Sequence, residues 1–533
     1  MSLEIRVARA TSNPIARDHL SNGGAIRSFL SRDPGSLQAF SARAEAVDAR
    51  FADRSALRDL VSAPSEASTS ALDRVVAGGG YLVTTGHQPG LFGGPLMGLY
   101  KMLSAVRLAR DLEEAMDAPV APAFWVASDD HDWDEARRTW LLDSSNTLVE
   151  IALPPGDADA ARPAMADRPL GPAVREALDA LEGALPETDF SAPLLAALRE
   201  AYTPEATVAG AFEHWFGALA GRLGVLFVDP AGEATRAASE PILLAELAAA
   251  ERQERRLADR STELVEAGYH AQIPVLEGGT NLHLAGPAGR ERLFRDGDRF
   301  RMRASGTVLD GDEVRERARQ ARALSAGVGL RPVLESAILP TLAYVGGPAE
   351  VAYFAQIEPL FAEHDLEPPI VVPRFSVTLV EGKVGKVLDR FDLEPADFDR
   401  PAHEIAARVL RDELPEDVAE ALKALRGSLG EAYARLGEAV KSVDPTLSGA
   451  VASARNAALG ETREIEKRIA RHAEDRRDIA IEQLRKAEVN LVPGGKPQER
   501  VLNALQYLAR YGPGLLDDVL AAMGSLVGAP AGR

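Results

Sequence analysis

The chain contains no cysteine. Disulfides, thiolate catalysis and cysteine-ligated zinc or iron–sulfur sites are thereby excluded. Aromatic residues make up only 5%, while Ala and Leu are abundant, a balance that favours helices. No uninterrupted apolar run approaches the roughly 20 residues that a membrane span needs. The opening residues, MSLEIRVARATSNPIARDHL, hold no apolar stretch of signal-peptide length. A cytoplasmic protein without membrane attachment is the expectation. Positive charge is also short: 60 basic against 80 acidic residues give a formal net charge of −20. That argues against a nucleic-acid partner bound by broad phosphate neutralisation. It leaves room for a local basic pocket and favours solubility.

At 533 residues the chain exceeds one compact core, and length alone suggests roughly three domains. Residues 1–393 are expected to form an α/β core, with a helical, polar lead-in over residues 1–75 and connecting insertions at about 140–220 and 270–330. Residues 394–489 read as a helical coiled-coil domain. Residues 490–533 read as a C-terminal segment that packs on the core or the coiled coil. Within the core, residues 81–85 (YLVTT) and 123–128 (AFWVAS) read as short buried strands. A helix from about Pro95 to Met116 lies between them, with Pro95 suited to a first helical turn. Strand, helix and strand make a βαβ unit with parallel strands. Alternation and Gly turns over residues 272–300 read as antiparallel hairpins. A second α/β stretch has strands at residues 342–345 and 370–372 around a helix from about Pro348 to His364. In the coiled-coil region Leu422, Leu429, Leu436 and Val443 recur every seven residues, and Ile465, Ile469, His472 and Ile479 follow on a second helix. Two such helices joined by a short turn make an antiparallel hairpin, read either as a dimer interface or as a solvated arm.

In open α/β sheets, ligands bind beyond the carboxyl ends of the strands. Residues 86–94 (GHQPGLFGG) and the quartet Asp129-Asp130-His131-Asp132 each follow a strand at once. If the two strands are neighbours, both loops face one crevice. Gly86, Gly93 and Gly94 would let backbone N–H groups approach an anion. His87 and Gln88 would donate to it, with Lys101 two turns into the helix. A tight turn is the bland alternative for a lone glycine-rich loop. Three carboxylates and a histidine in four residues repel one another unless they meet a cation, an ammonium group or a polar ligand. His131 suits general acid–base work, and Mg²⁺ would also accept such carboxylates. Here the bland alternative is an exposed acidic turn in which Asp132 caps a helix. Gly346 and Gly347 repeat the strand–glycine–helix pattern. Glu350 in the helix's first turn either contacts ligand or compensates the dipole. Arg374 and Ser376 follow another strand end, where they would meet a phosphate or carboxylate. Asn281, His283, Arg290 and Arg292, in the hairpin region, rank below the strand-end residues.

The runs TTGHQPGLFGGPLMGLYKMLSAVRLAR, APAFWVASDDHDWDEA, LPTLAYVGGPAEVAYFAQI, VVPRFSVTLVE and NLVPGGKPQERVLNALQYLARYG together resemble the bacillithiol biosynthesis cysteine-adding enzyme family. The similarity runs in order from Tyr81 to about Gly512. It implies a Rossmann-like core of the nucleotidyltransferase type with insertions, plus a coiled-coil domain that forms a homodimer. It implies a ligase that joins cysteine to glucosaminyl malate through an amide bond. Two positions depart from the family pattern. His87-Gln88 stands in place of Gln-Gln, and Asp129 stands in place of a Glu. An amide made from a carboxylate in water is uphill and needs activation, through an acyl adenylate or an acyl phosphate; ATP is one candidate donor, and the choice between it and another donor stays open. Whether Mg²⁺ accompanies it is left open, and no metal ligands are assigned. On this reading Asp130 or Asp132 orients a substrate ammonium, His131 accepts its proton, and His87 helps stabilise the phosphate. The alternatives on the same scaffold are nucleotidyl transfer without amide formation and a non-catalytic coiled-coil scaffold.

Overall fold

The computed structural model describes the chain apart from residues 1, 10–11, 31, 158–160, 320–322, 402, 406–415, 445 and 528–533, and apart from the side chains of 416 and 470–477. His472 therefore falls outside the described side chains. The chain divides into two compact units. One comprises residues 5–379 and 498–533, the other residues 1–4 and 380–497.

The first unit is built on a five-stranded sheet. Numbering only its strands, β1 is Tyr81–His87, β2 Val120–Val126, β3 Leu226–Val228, β4 Thr341–Gly346 and β5 Ile370–Pro373. They lie in the order β3–β2–β1–β4–β5, and every pairing is parallel. Nearly every residue in them is buried. Helices cover both faces of such a sheet, so its strands read as continuous apolar runs and not as alternations. β1 and β2 are direct neighbours, with Gly86 opposite Trp125 and His87 opposite Val126, as the βαβ reading requires. Helix Leu96–Met116 makes the crossover between them, and helix Pro348–Glu363 joins β4 to β5.

This order fixes where a ligand can sit. From β1 the sheet grows through β2 to β3 on one side, then resumes with β4 and β5 on the other. The loops leaving β1 and β4 therefore part in opposite directions and leave a crevice at their carboxyl ends. Three helices, Ala173–Ala184, Ser191–Ala201 and Val208–Ala220, occupy the stretch between β2 and β3. Helix Glu233–Glu266 then leads into a second, antiparallel sheet of five strands, including the hairpin Gly279–Gly286/Gly289–Asp296 and the edge strand Leu324–Ala326. Its alternation buries Leu282, Leu284 and Leu293 and leaves His283, Ala285, Arg290 and Arg292 on the opposite, polar face.

The lead-in differs from expectation at its start, where Leu3–Arg9 (LEIRVAR) is a strand. Leu, Ile and Val alternate there with charged residues, a period of two that outweighs the helical composition downstream.

In the second unit, helix Gly382–Phe391 packs Val384 and Leu388 with Leu484, Ala487 and Leu491 of the long helix Leu447–Leu491. The unit consequently begins at Val380, ahead of the change of character near residue 394. Helix Glu416–Ala439 runs antiparallel to the long helix, with Arg426 ion-paired to Glu466. The seam is buried at Leu422, but Leu436 and Val443 stay 48% and 80% exposed. Val443 already lies beyond the helix end.

Candidate active site

A cavity of about 330 Å³ opens at the reversal of strand order. Its walls come from the ends of β1 (Gly86, His87, Gln88), β2 (Trp125, Asp129, Asp130) and β4 (Tyr344, Glu350), together with Lys101 and Arg331 from helices and Arg290 from the antiparallel sheet. The two strand-end loops thus share one crevice, and the Gln88 side-chain amide donates directly to Asp130.

Beneath the cavity lies a buried ionic network. Lys101 Nζ donates to the Gly86 carbonyl at 2.7 Å and pairs with Glu350 Oε2 at 2.5 Å. Glu350 also accepts from Tyr344 Oη at 2.5 Å and from the Gly347 N–H at 2.8 Å. Burial alone would push this carboxyl up. The Lys101 charge and these hydrogen bonds override it and hold Glu350 down at about 2. Arg331 continues the network, donating to Tyr344 Oη at 3.0 Å, Tyr353 Oη at 2.8 Å and Glu335 at 2.8 Å. Gly346 and Gly347 serve this arrangement. A Cβ on Gly346 would lie 3.1 Å from that of Glu350.

His87 packs against helix Leu96–Met116, where a Cβ on Gly98 would approach its ring to 2.8 Å. Burial, reinforced by the Lys101 charge, lowers its pKa to about 3, so the imidazole is neutral at pH 7. His131 belongs to the acidic quartet but, unlike Asp129 and Asp130, does not line the cavity. Its backbone N–H donates to Asp130 Oδ1 at 2.7 Å, and its ring Nδ1 is 3.6 Å from the same oxygen, buried and without a hydrogen-bond partner. Burial and the Arg290 charge lower its pKa.

The charges facing the cavity pair off unevenly. Lys101 meets Glu350, Arg290 meets Asp129 at 3.1 Å and Arg331 meets Glu335. Asp130 is held by a neutral amide and a backbone N–H, beside a neutral imidazole. Among the described residues it is the cavity carboxylate without a cationic partner.

Several sequence candidates do other work. The Gly93 N–H is taken by the Gly90 carbonyl and Tyr202 Oη, and the Gly94 N–H by the Leu91 carbonyl. The far end of the glycine-rich loop therefore offers no anion cradle. Asp132 is exposed and caps helix Trp133–Ala136 through the Glu135 N–H. Arg374 is 1% exposed and locked to Glu499 by two hydrogen bonds, at 2.8 and 2.5 Å, while Ser376 lies on the strand beyond it. Neither lines the cavity. Arg331, Tyr344, Tyr353 and Trp125 were not singled out from sequence, and Arg290 was ranked too low. Its signal was there: arginine on the polar face of an alternating strand. Among the described residues no cluster of three or more His, Asp or Glu is placed to hold a metal.

Comparison with known proteins agrees with this architecture. Residues 1–375 match the N-terminal Rossmann-like domain of bacillithiol biosynthesis BshC, and residues 377–529 match its C-terminal coiled-coil domain. The chain belongs to the bacillithiol biosynthesis BshC family. A protein of Salinibacter ruber named "Putative cysteine ligase BshC" is 32% identical over 515 residues, covering 95% of this chain and 93% of that protein. A protein of the same name from Koribacter versatilis is 34% identical over 450 residues, 84% and 82% of the two chains. The chain is therefore an enzyme of a ligase family, and its α/β core with an attached coiled-coil domain is the family's own. No described helix is long and apolar enough to cross a membrane.

Proposed function

We propose that the protein forms the amide bond between L-cysteine and the amine of glucosaminyl malate, in the cytoplasm, to give bacillithiol. The observation that carries this reading is Asp130, an unneutralised carboxylate in a crevice otherwise balanced in charge. A half-buried carboxylate without a cation favours a ligand that supplies the counter-charge, and the amino sugar brings an ammonium. Held there, the ammonium must lose a proton before it can attack a carboxyl carbon. The neutral ring of His131 stands beside Asp130, ready to accept one directly or through a water. His87, also neutral, is placed to donate to the oxygen that gains charge.

Joining a carboxylate to an ammonium releases water and is uphill, so the carboxyl must first be activated. ATP is the proposed donor. Since the N–H groups of Gly93 and Gly94 are already engaged, its phosphates would rely on side chains such as Lys101 and Arg331. Purified protein should be incubated with cysteine and glucosaminyl malate, with and without ATP and Mg²⁺, and read by mass spectrometry. The cysteinyl amide is the expected product, and Asp130→Asn should lower its rate at least a hundred-fold without unfolding the protein. A nucleotidylated acceptor with no amide would replace this reading by nucleotidyl transfer.

We also propose that the coiled-coil hairpin joins two copies of the chain. Leu425, Leu436, Ile465 and Ile479 are large, apolar and exposed along it, which supports a partner helix surface.

A further inference from the structure

Beside the main cavity lies a second one, of about 120 Å³. Just two residues line both, Asp129 and Arg290. Their ion pair, 3.1 Å long and mostly buried, is the partition between the two spaces. Arg290 is anchored on the sheet side, donating through Nε to Ser325 Oγ at 3.0 Å and through Nη2 to the Ala326 carbonyl at 2.6 Å.

The far walls of the small cavity come from three separate elements. Helix Glu233–Glu266 contributes Arg236, steadied by a 3.0 Å bond from Nε to the Ala231 carbonyl. The hairpin contributes Ala285, Gly286 and Gly289. A strap at residues 162–167 contributes Pro163, Ala164 and Asp167. The strap is tied to the acidic loop, because Met165 N donates to the Asp130 carbonyl and Ala166 N to the Ser128 carbonyl, each at 2.8 Å. It is also laid on the hairpin at Gly289, whose φ is +95° and whose Cβ, were there one, would lie 2.2 Å from the Arg162 carbonyl oxygen.

Its charged lining is two arginines and two aspartates, in a space far smaller than the main cavity. A group of that size carrying one positive and one negative charge matches it. A ligase must hold two substrates at once, and both of those proposed here carry an ammonium, so one cavity with one unpaired carboxylate cannot serve both. We infer that the small cavity is the amino-acid chamber of a two-chambered cleft, taking a zwitterionic α-amino acid with its carboxylate at Arg290 and Arg236 and its ammonium at Asp167. The inference rests on the ligase reading above. The Asp129–Arg290 pair then keeps both charges satisfied while the chamber is empty. When the amino acid enters, Arg290 turns its free donor capacity to the incoming carboxylate. That carboxylate comes to rest at the partition, on whose other side Asp130 holds the amine.

The test separates binding from turnover. Calorimetric titration of the full-length protein with L-cysteine, L-serine and glycine gives affinities, while mass spectrometry follows the amide. Two variants touch only the small chamber: Arg236→Gln removes a cation, and Ala285→Phe fills the space on a strand that accepts aromatic residues. Both should weaken cysteine binding, and raise its KM, at least ten-fold, with the KM for glucosaminyl malate within two-fold and the thermal midpoint preserved. Unchanged cysteine affinity in both folded variants overturns the inference while an amide product keeps the ligase reading. An effect on the amino sugar instead overturns the assignment of the chamber. Wild-type protein that binds none of the three amino acids overturns the inference whatever it makes. Amino-acid binding that the variants abolish, without amide formation, upholds the chamber and removes the ligase reading.

Discussion

Lys101 and Glu350 form the pair on which the floor of the main cavity depends. Both are largely buried, and removing one partner leaves the other charged and unmatched. Glu350→Gln should lower stability by roughly 3–5 kcal/mol, read as a drop in the urea midpoint, and Lys101→Met in the same chain should restore part of it. An additive double variant would mean that the two do not act as a pair. His87 sets an acid limit. It titrates near 6.5 when exposed and near 3 in the fold, so between those values the unfolded chain binds the extra proton. The stability His87 confers is complete above about pH 6.5 and is lost as pH falls toward 3. His87→Asn should flatten the pH dependence of stability over that window by up to one proton, and an unchanged slope would refute the assignment. Gly86, His87, Gln88, Asp129 and Asp130 were legible as candidates because each adjoins its strand end in the sequence itself. Arg331, Tyr344 and Tyr353 were not, because their nearness is made by tertiary packing of distant segments and nothing in their local pattern separates them from other surface-capable polar residues. Arg290 stands between, marked by its place on the polar face of an alternating strand but brought to the crevice only by the fold.

The helix Leu96–Met116 shows how an element constrains a site it does not appear to serve. Gly98 lies in its first turns, where glycine costs about 1 kcal/mol relative to alanine in a helix interior. The close approach of the His87 ring explains the cost. Gly98→Ala should leave thermal stability within about 1 kcal/mol of wild type, since helix propensity offsets the crowding. It should nonetheless cut amide formation at least ten-fold by displacing the imidazole. Full activity in a folded Gly98→Ala protein would show the ring to be dispensable. The βαβ unit and the hairpins were readable because apolar runs and a period of two report burial directly, and the paired long helices because a period of seven marks a shared stripe, although Leu436 and Val443 on that stripe stay exposed. The strand Leu3–Arg9 was hidden by its helical surroundings. The fate of Gly93, Gly94 and Asp132 was hidden for another reason. Glycine-rich loops and acidic turns look alike in sequence whether their polar groups face a ligand or satisfy the chain, and only the hydrogen-bond partners tell.

The two compact units make different demands on the surrounding solvent. The first buries its apolar residues around the central sheet, while the hairpin of long helices leaves Leu436, Ile465 and their neighbours exposed. Light scattering after gel filtration should report twice the chain mass, and Leu436→Glu combined with Ile465→Glu should halve it. A wild-type protein that runs as a single chain would dispose of the dimer. Strand order was beyond the reach of sequence, since no local pattern says that β4 returns to the far side of β1. That reversal is what creates the crevice. The chain re-enters the first unit at Gln498. Gln498 accepts from the Leu379 N–H at 2.9 Å and donates to the Leu379 carbonyl at 3.0 Å, stapling the point of departure to the point of return. Everything between residues 379 and 498 is, for the sheet and its crevice, one closed loop, and the entropy of closing a loop grows only with the logarithm of its length. Changes in the length of the segment between residues 379 and 498 should therefore cost the fold of the first unit little.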